Sequence, residues 1–85
     1  MEEVQIGNVS HYLARQRVAV LLLKEPLRVG DRIHIVGRIT DVGLTVESVE
    51  VDTHHMGFGY SGYQVAVKVS DWVREGDRVY LQSDV

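Results

Sequence analysis

Phe58, Tyr60 and Tyr63 lie in the run Thr53-His54-His55-Met56-Gly57-Phe58-Gly59-Tyr60-Ser61-Gly62-Tyr63, the stretch of this 85-residue chain whose composition is best suited to recognition. Three glycines interleaved with aromatic rings do not make a core strand, since glycine weakens pleating and contributes no packing. The run therefore reads as a loop that presents its rings. Such rings stack on nucleotide bases or form an apolar protein contact. His54, His55, Phe58, Tyr60 and Tyr63 make up the expected partner surface. Arg15, Arg17 and Arg38 are the expected phosphate contacts if the partner is RNA. The competing reading of the same residues is a Phe58 folded back as a lid over the core, with the tyrosines merely covering surface.

Other chemistries fare worse. Adjacent strand residues point to opposite faces, so His54 and His55 do not chelate as a pair. Asp52 and His54 share a face but need His11 or His34 to complete a metal site, and no metal is expected. Ser10 and His11 are neighbours only in sequence, while Ser48, Ser61 and Ser70 have no distinctive context, so no catalytic residue is assigned. Gly57 to Gly62 lacks the Lys-Ser/Thr of a phosphate loop and the strand-to-helix setting of a dinucleotide motif. With no cysteine, thiolate metal sites, disulfides and cysteine nucleophiles are excluded together. The expectation is a binding module that is not an enzyme and needs no cofactor.

The elements that must position the loop are strands. Leu27-Arg28-Val29-Gly30-Asp31-Arg32-Ile33-His34-Ile35 returns as Val73-Arg74-Glu75-Gly76-Asp77-Arg78-Val79-Tyr80-Leu81. Glycine accepts a positive φ and aspartate bonds its own backbone, so each copy predicts a tight turn launching a half-buried strand. Alternation places strands at Val4–Val9 (Val4 and Ile6 inward), Arg17–Leu23, Ile33–Val36 (Ile33 and Ile35 inward), a bent Leu44–Asp52, Gln64–Val69 (Val65, Val67 and Val69 inward) and Arg78–Gln82. A bulge near Glu47-Ser48 would bring both Val46 and Val49 inside. Gly7 marks a bend or a close backbone approach. Ser10–Gln16 reads as an ordered loop. Leu27 and Val29 tuck inward, Ile39 or Val42 covers an open side, and Trp72 or Val73 plugs an end. Both faces of Arg17–Leu23 are apolar. The Ala19-Leu21-Leu23 face either packs under a loop or meets another protein, including a second copy. These short, regularly spaced strands fit one all-β domain over 1-85, a closed six-stranded Greek-key β-barrel without free edges.

Composition bounds the partners. A hydrophobic fraction of 45% with 25% charged residues suits a folded domain. The net charge of -3 disfavours sequence-blind binding to phosphate backbones, and no DNA partner is expected. The charge is uneven, with residues 1–40 at +2 and the remainder at -5. No apolar run reaches the roughly 18 residues of a membrane span, and the acidic start is unlike a signal peptide, so a cytoplasmic location away from membranes is expected.

Ile6-Gly7-Asn8-Val9-Ser10-His11-Tyr12, Val18-Ala19-Val20, both Gly-Asp-Arg motifs, Gly37-Arg38-Ile39-Thr40-Asp41 and Val46-Glu47-Ser48 together resemble the translation-factor β-barrel. That barrel is the second domain of the elongation factor that delivers aminoacyl-tRNA. The resemblance is closest to small free-standing elongation-factor-like proteins and to the barrel at the end of some collagenase-like peptidases. It implies a non-catalytic module contacting a protein or ribonucleoprotein in a translation-related setting. The alternatives are an RNA-end binding module and an accessory domain of a separately encoded enzyme. The strand matching the elongation factor's aminoacyl-end pocket is Ser48-Val49-Glu50-Val51, which lacks that pocket's acid and base pair.

Overall fold

The computed structural model describes residues 2–52 and 54–83. Among these residues ten strands form: β1 (Glu2–Leu13), β2 (Val18–Leu23), β3 (Leu27–Arg28), β4 (Arg32–Val36), β5 (Asp41–Thr45), β6 (Glu50–Val51), β7 (His54–His55), β8 (Phe58–Gly59), β9 (Gln64–Lys68) and β10 (Arg78–Ser83). Eight of them make one antiparallel sheet in the order β5-β4-β10-β1-β2-β9-β6-β7, and β3 pairs with β8 apart from it. The expected closed six-stranded barrel is thus corrected to two open sheets. The end strands β5 and β7 share no ladder, because the chain between Val46 and Tyr63 breaks into pieces too short to carry one across. The larger sheet still curls, since one apolar core takes Val42 and Leu44 from one end, Val65 and Val67 from near the other, and Ile6, Leu21, Ile33, Ile35 and Val79 between.

The two Gly-Asp turns are built alike. Gly30 and Gly76 adopt φ of 97° and 89°, which a side chain would strain. Asp31 Oδ2 accepts from the Arg28 N–H at 3.0 Å and Asp77 Oδ2 from the Arg74 N–H at 2.8 Å. Each turn is clasped by a distant residue. Gly30 N–H donates to Val46 O and Val46 N–H to Asp31 O, while Gly76 N–H donates to Val9 O and Val9 N–H to Asp77 O, all within 2.8–2.9 Å. The strands launched by these turns, β4 and β10, lie side by side with a register symmetric about His34↔Tyr80. A quasi-two-fold therefore relates them, and β5 beside β4 is the counterpart of β1 beside β10.

Several local expectations change. β1 runs on through Leu13, so Ser10–Leu13 is strand where a loop was expected, and the turn is confined to 14–17. β1 tolerates this length through register breaks at Gln5/Gly7 and Val9/His11. The first break leaves Val4 exposed while Ile6 is buried. At Gly7 a Cβ would overlap the Leu22 carbonyl, which is the close approach its position suggested. In β2 the core face is Ala19, Leu21 and Leu23, whereas Leu22 is 48% exposed. The core thus occupies the face assigned to self-association. Val46 and Val49 are both buried across the irregular stretch between β5 and β6. Leu27, Val42 and Val73 are buried, and Val29, Ile39 and Trp72 stay outside.

Candidate functional site

The glycine-aromatic run folds into two short strands and a turn. Phe58 and Gly59 pair with Arg28 and Leu27. Gly59 permits this because a Cβ there would stand 2.5 Å from Val65 Cγ1 and 3.0 Å from Leu23 Cδ1, so the backbone lies directly on the core. The following turn is tied to the end of β2, with Gly62 N–H donating to Leu23 O at 2.7 Å and Leu23 N–H to Tyr63 O at 2.9 Å. Anchored on both sides, the rings stack in sequence: Phe58 on Tyr60 with centroids 5.1 Å apart, and Tyr60 on Tyr63 at 5.6 Å, edge to face. Each such contact is worth about 0.5–1.5 kcal/mol and fixes the rings in place before any partner arrives.

Phe58 is half-buried, and Tyr60 is 53% exposed. Phe58 thus lies partly over the core, and the tyrosines face solvent, as both readings of the run have them. Beside them a groove of about 440 Å³ is lined by Pro26, Leu27, Arg28, Phe58, Gly59 and Tyr60. An exposed guanidinium next to an aromatic face suits a partner with both apolar and acidic groups. Arg28 was missed in the sequence because it looks like part of a turn motif; only the β3–β8 pairing brings it to the rings.

His54 and His55 do not join the stack. They occupy β7 at the end of the sheet, paired with Val51 and Glu50, and His55 Nε2 lies 3.7 Å from Glu50 Oε2. Arg15 and Arg17 sit in the exposed turn between β1 and β2, and Arg38 in the turn between β4 and β5; none of the three lines the aromatic groove. A second aromatic pair went unanticipated as a surface. Trp72, 60% exposed, packs on Tyr12 with centroids 5.2 Å apart.

Ser10, His11 and His34 are engaged in structural contacts. Ser10 Oγ donates to Val20 O, and His11 Nδ1 lies 3.1 Å from Glu75 Oε2, so the Ser10-His11 neighbours do not form a nucleophile and base. His34 lies between two carboxylates, with Nδ1 2.8 Å from Glu3 Oε2 and Nε2 2.5 Å from Asp41 Oδ1. Asp41 first and Glu3 second hold the His34 pKa above its ordinary 6.5, against partial burial. Glu3 is held below its ordinary 4.5 by hydrogen bonds from Gln82 and then His34. This arrangement joins β1, β4 and β5 across the sheet. Among the described residues no group of three or more His, Cys, Asp or Glu is placed to hold a metal, and no helix is long and apolar enough to cross a membrane. The described residues assemble no catalytic constellation.

No protein-family model matches the chain. Over 80 residues it is 36% identical to an uncharacterized protease of Methanocaldococcus jannaschii, a match that takes in 93% of this chain and 20% of that protein. The chain thus spans about a fifth of the length of the curated relative it matches. Among solved structures it is similar to the C-terminal domain of a Geobacillus thermoleovorans protein assigned to the U32 peptidases, with a TM-score of 0.83 and 16% identity, covering 92% of this chain and 91% of that one. A selenomethionine variant of the same domain gives a TM-score of 0.81, again at 16% identity, with 89% and 96% covered. These findings overturn the translation-factor reading. Both the fold likeness and the sequence likeness fall on peptidase-associated chains, and in place of a translation-factor barrel the chain has a fold similar to that of a peptidase's C-terminal domain.

Proposed function

We propose that residues 1–85 form one non-catalytic accessory domain that works with a peptidase, docking on its catalytic polypeptide through Phe58, Tyr60 and Tyr63 with Arg28 beside them. The observation that carries this reading is the 36% identity along nearly the whole chain to about a fifth of a protease. It is supported by the fold likeness to another peptidase's C-terminal domain. The physical case for the surface is its pre-organisation. Rings already stacked on one another lose little side-chain freedom on binding, so most of their buried area counts toward affinity. His54 and His55 belong to the neighbouring rim under this reading.

The test is capture of the catalytic polypeptide of a related peptidase by this chain, with wild type set against Tyr60→Ala and Tyr63→Ala. Each substitution is expected to weaken capture by about tenfold or more, the range of a centrally placed aromatic anchor, with the circular dichroism spectrum unchanged. The chain alone is expected to cleave nothing and to alter the partner's turnover when added. Undiminished capture by the double variant would remove the surface; proteolysis by the purified chain would remove the accessory role.

A further inference from the structure

We propose that the outer edge of β5 is a second docking site, which takes an extended acidic polypeptide segment as an added strand of the sheet. The backbone itself supplies the first argument. Gly37 N–H donates to Thr40 O, and Val46 N–H to Asp31 O. By the alternation of an antiparallel pair, Val42 and Leu44 then bond to β4, and the N–H and C=O groups of Asp41, Gly43 and Thr45 point away from it. Among the described residues no strand pairs with that edge. Bare edges of this kind are usually shortened, bulged or guarded by charge. Here the middle residue is a glycine.

The quasi-two-fold supplies the second argument. β1 is the counterpart of β5, and β1 carries β2 on its outer edge. Val46 and Val9 occupy equivalent clasps 37 residues apart, so the segment matching β2 (Val18–Leu23) is 55–60. That segment lies instead on β6 and β3 as β7 and β8. The architecture thus accommodates a strand next to β1, while the chain has diverted the matching strand away from β5.

The third argument is the surroundings of the edge. A trough of about 530 Å³ runs along Gly43, Leu44 and Thr45, with Arg17, Lys68 and Val69 on its far wall. The Arg32 guanidinium lies 3.0 Å from where a Gly43 Cβ would stand. Of the side chains that line the trough, Arg17 and Lys68 are cationic and Glu47 alone is acidic. A neighbouring trough that shares Arg17 and Ser70 leads to the Tyr12–Trp72 pair and adds one acidic side chain, Asp71. Five residues of β5 extend about 17 Å, the reach of an extended pentapeptide whose main chain bonds to β5 and whose carboxylates face these cations.

The site is separate from the Phe58–Tyr60–Tyr63 surface, and its test separates them too. The probe is a fluorescein-labelled peptide of alternating valine and glutamate, titrated with the whole chain by fluorescence anisotropy. Saturable binding is expected, falling about tenfold or more when every second amide is N-methylated, since each lost donor removes a main-chain bond. Lys68→Glu and Arg17→Glu, both at exposed positions, are expected to weaken binding several-fold, and Tyr60→Ala is expected to leave it unchanged. Equal binding of the N-methylated peptide, or no saturable binding at about millimolar protein, overturns the proposal, as does loss confined to Tyr60→Ala. Tighter binding of a labelled oligouridylate that Lys68→Glu abolishes would reassign the trough to nucleic acid.

Discussion

Gly37 and Asp77 offer a direct test of how the second Gly-Asp turn is held. A Cβ on Gly37 would overlap the Asp77 carboxylate, the nearest atoms to that position all being the carboxylate's own. Asp77 is buried, and its Oδ2 accepts the Arg74 N–H at 2.8 Å. Gly37→Ala alone forces that carboxylate to move, an overpacking cost of about 1–3 kcal/mol. Asp77→Ala alone leaves the Arg74 N–H without its charged acceptor, a loss of about 1.5–3 kcal/mol. In the double variant the new methyl occupies the space the carboxylate has left. Its total cost is therefore expected to stay close to that of Asp77→Ala, giving a favourable coupling of about 1–3 kcal/mol between the sites. Urea unfolding followed by far-ultraviolet circular dichroism on all four proteins yields this coupling directly. For a domain of this size, 1 kcal/mol corresponds to about 4–8 °C in Tm, so thermal scans resolve it as well. Simple additivity of the two single costs would refute the argument, because it would mean that Gly37 and the carboxylate do not share the same space.

Leu21→Ala is expected to cost about 2–5 kcal/mol, whereas its exposed neighbour Leu22→Gln should change stability by no more than about 0.5 kcal/mol, both read by urea denaturation. Equal effects would mean that the assignment of the β2 faces is wrong. Asp31→Ala should cost less than Asp77→Ala in the same assay, because Asp31 makes the matching bond at 3.0 Å in a more exposed setting. With its folded pKa above the ordinary 6.5, His34 contributes stability that is complete below that value and is lost as pH rises through the folded pKa. Wild type should therefore lose Tm relative to His34→Gln as pH rises past 6.5, and parallel pH profiles for the two proteins would contradict the assignment. Glu3 acts in the opposite sense, contributing stability above its ordinary 4.5 that is lost as pH falls through its lowered value.

Much of the strand inventory was legible because alternation is local. Ile33 and Ile35, and Val65, Val67 and Val69, are buried as their spacing demands, and the phase change between Val46 and Val49 does keep both inside. The two Gly-Asp turns were legible for the same reason, since a positive φ and an aspartate cap need only four residues. Long-range pairing was not. Nothing local distinguishes Val18-Val20-Leu22 from Ala19-Leu21-Leu23 when both are apolar, so the core face of β2 depends on what folds over it. Closure likewise depends on whether β5 finds a partner far along the chain, and alternation carries no such information. At the aromatic surface, composition pointed to Phe58, Tyr60 and Tyr63. Arg28 reaches them only through a two-residue strand pair, and Trp72 meets Tyr12 across about 60 residues of sequence, a separation that pattern reading does not span.

The placement of β10 between β4 and β1 has a consequence for synthesis. The last of the ten described strands along the chain is an interior one, and both of its neighbours must wait for it. During translation β1 has β2 at hand and β4 has β5, but these two hairpins have no shared ladder until Arg78–Ser83 arrives to join them. Shortening the chain before β10 would therefore do more than fray an end. It would leave two hairpins with nothing between them, and a nascent chain stalled at that point would expose the facing edges of β1 and β4 at once.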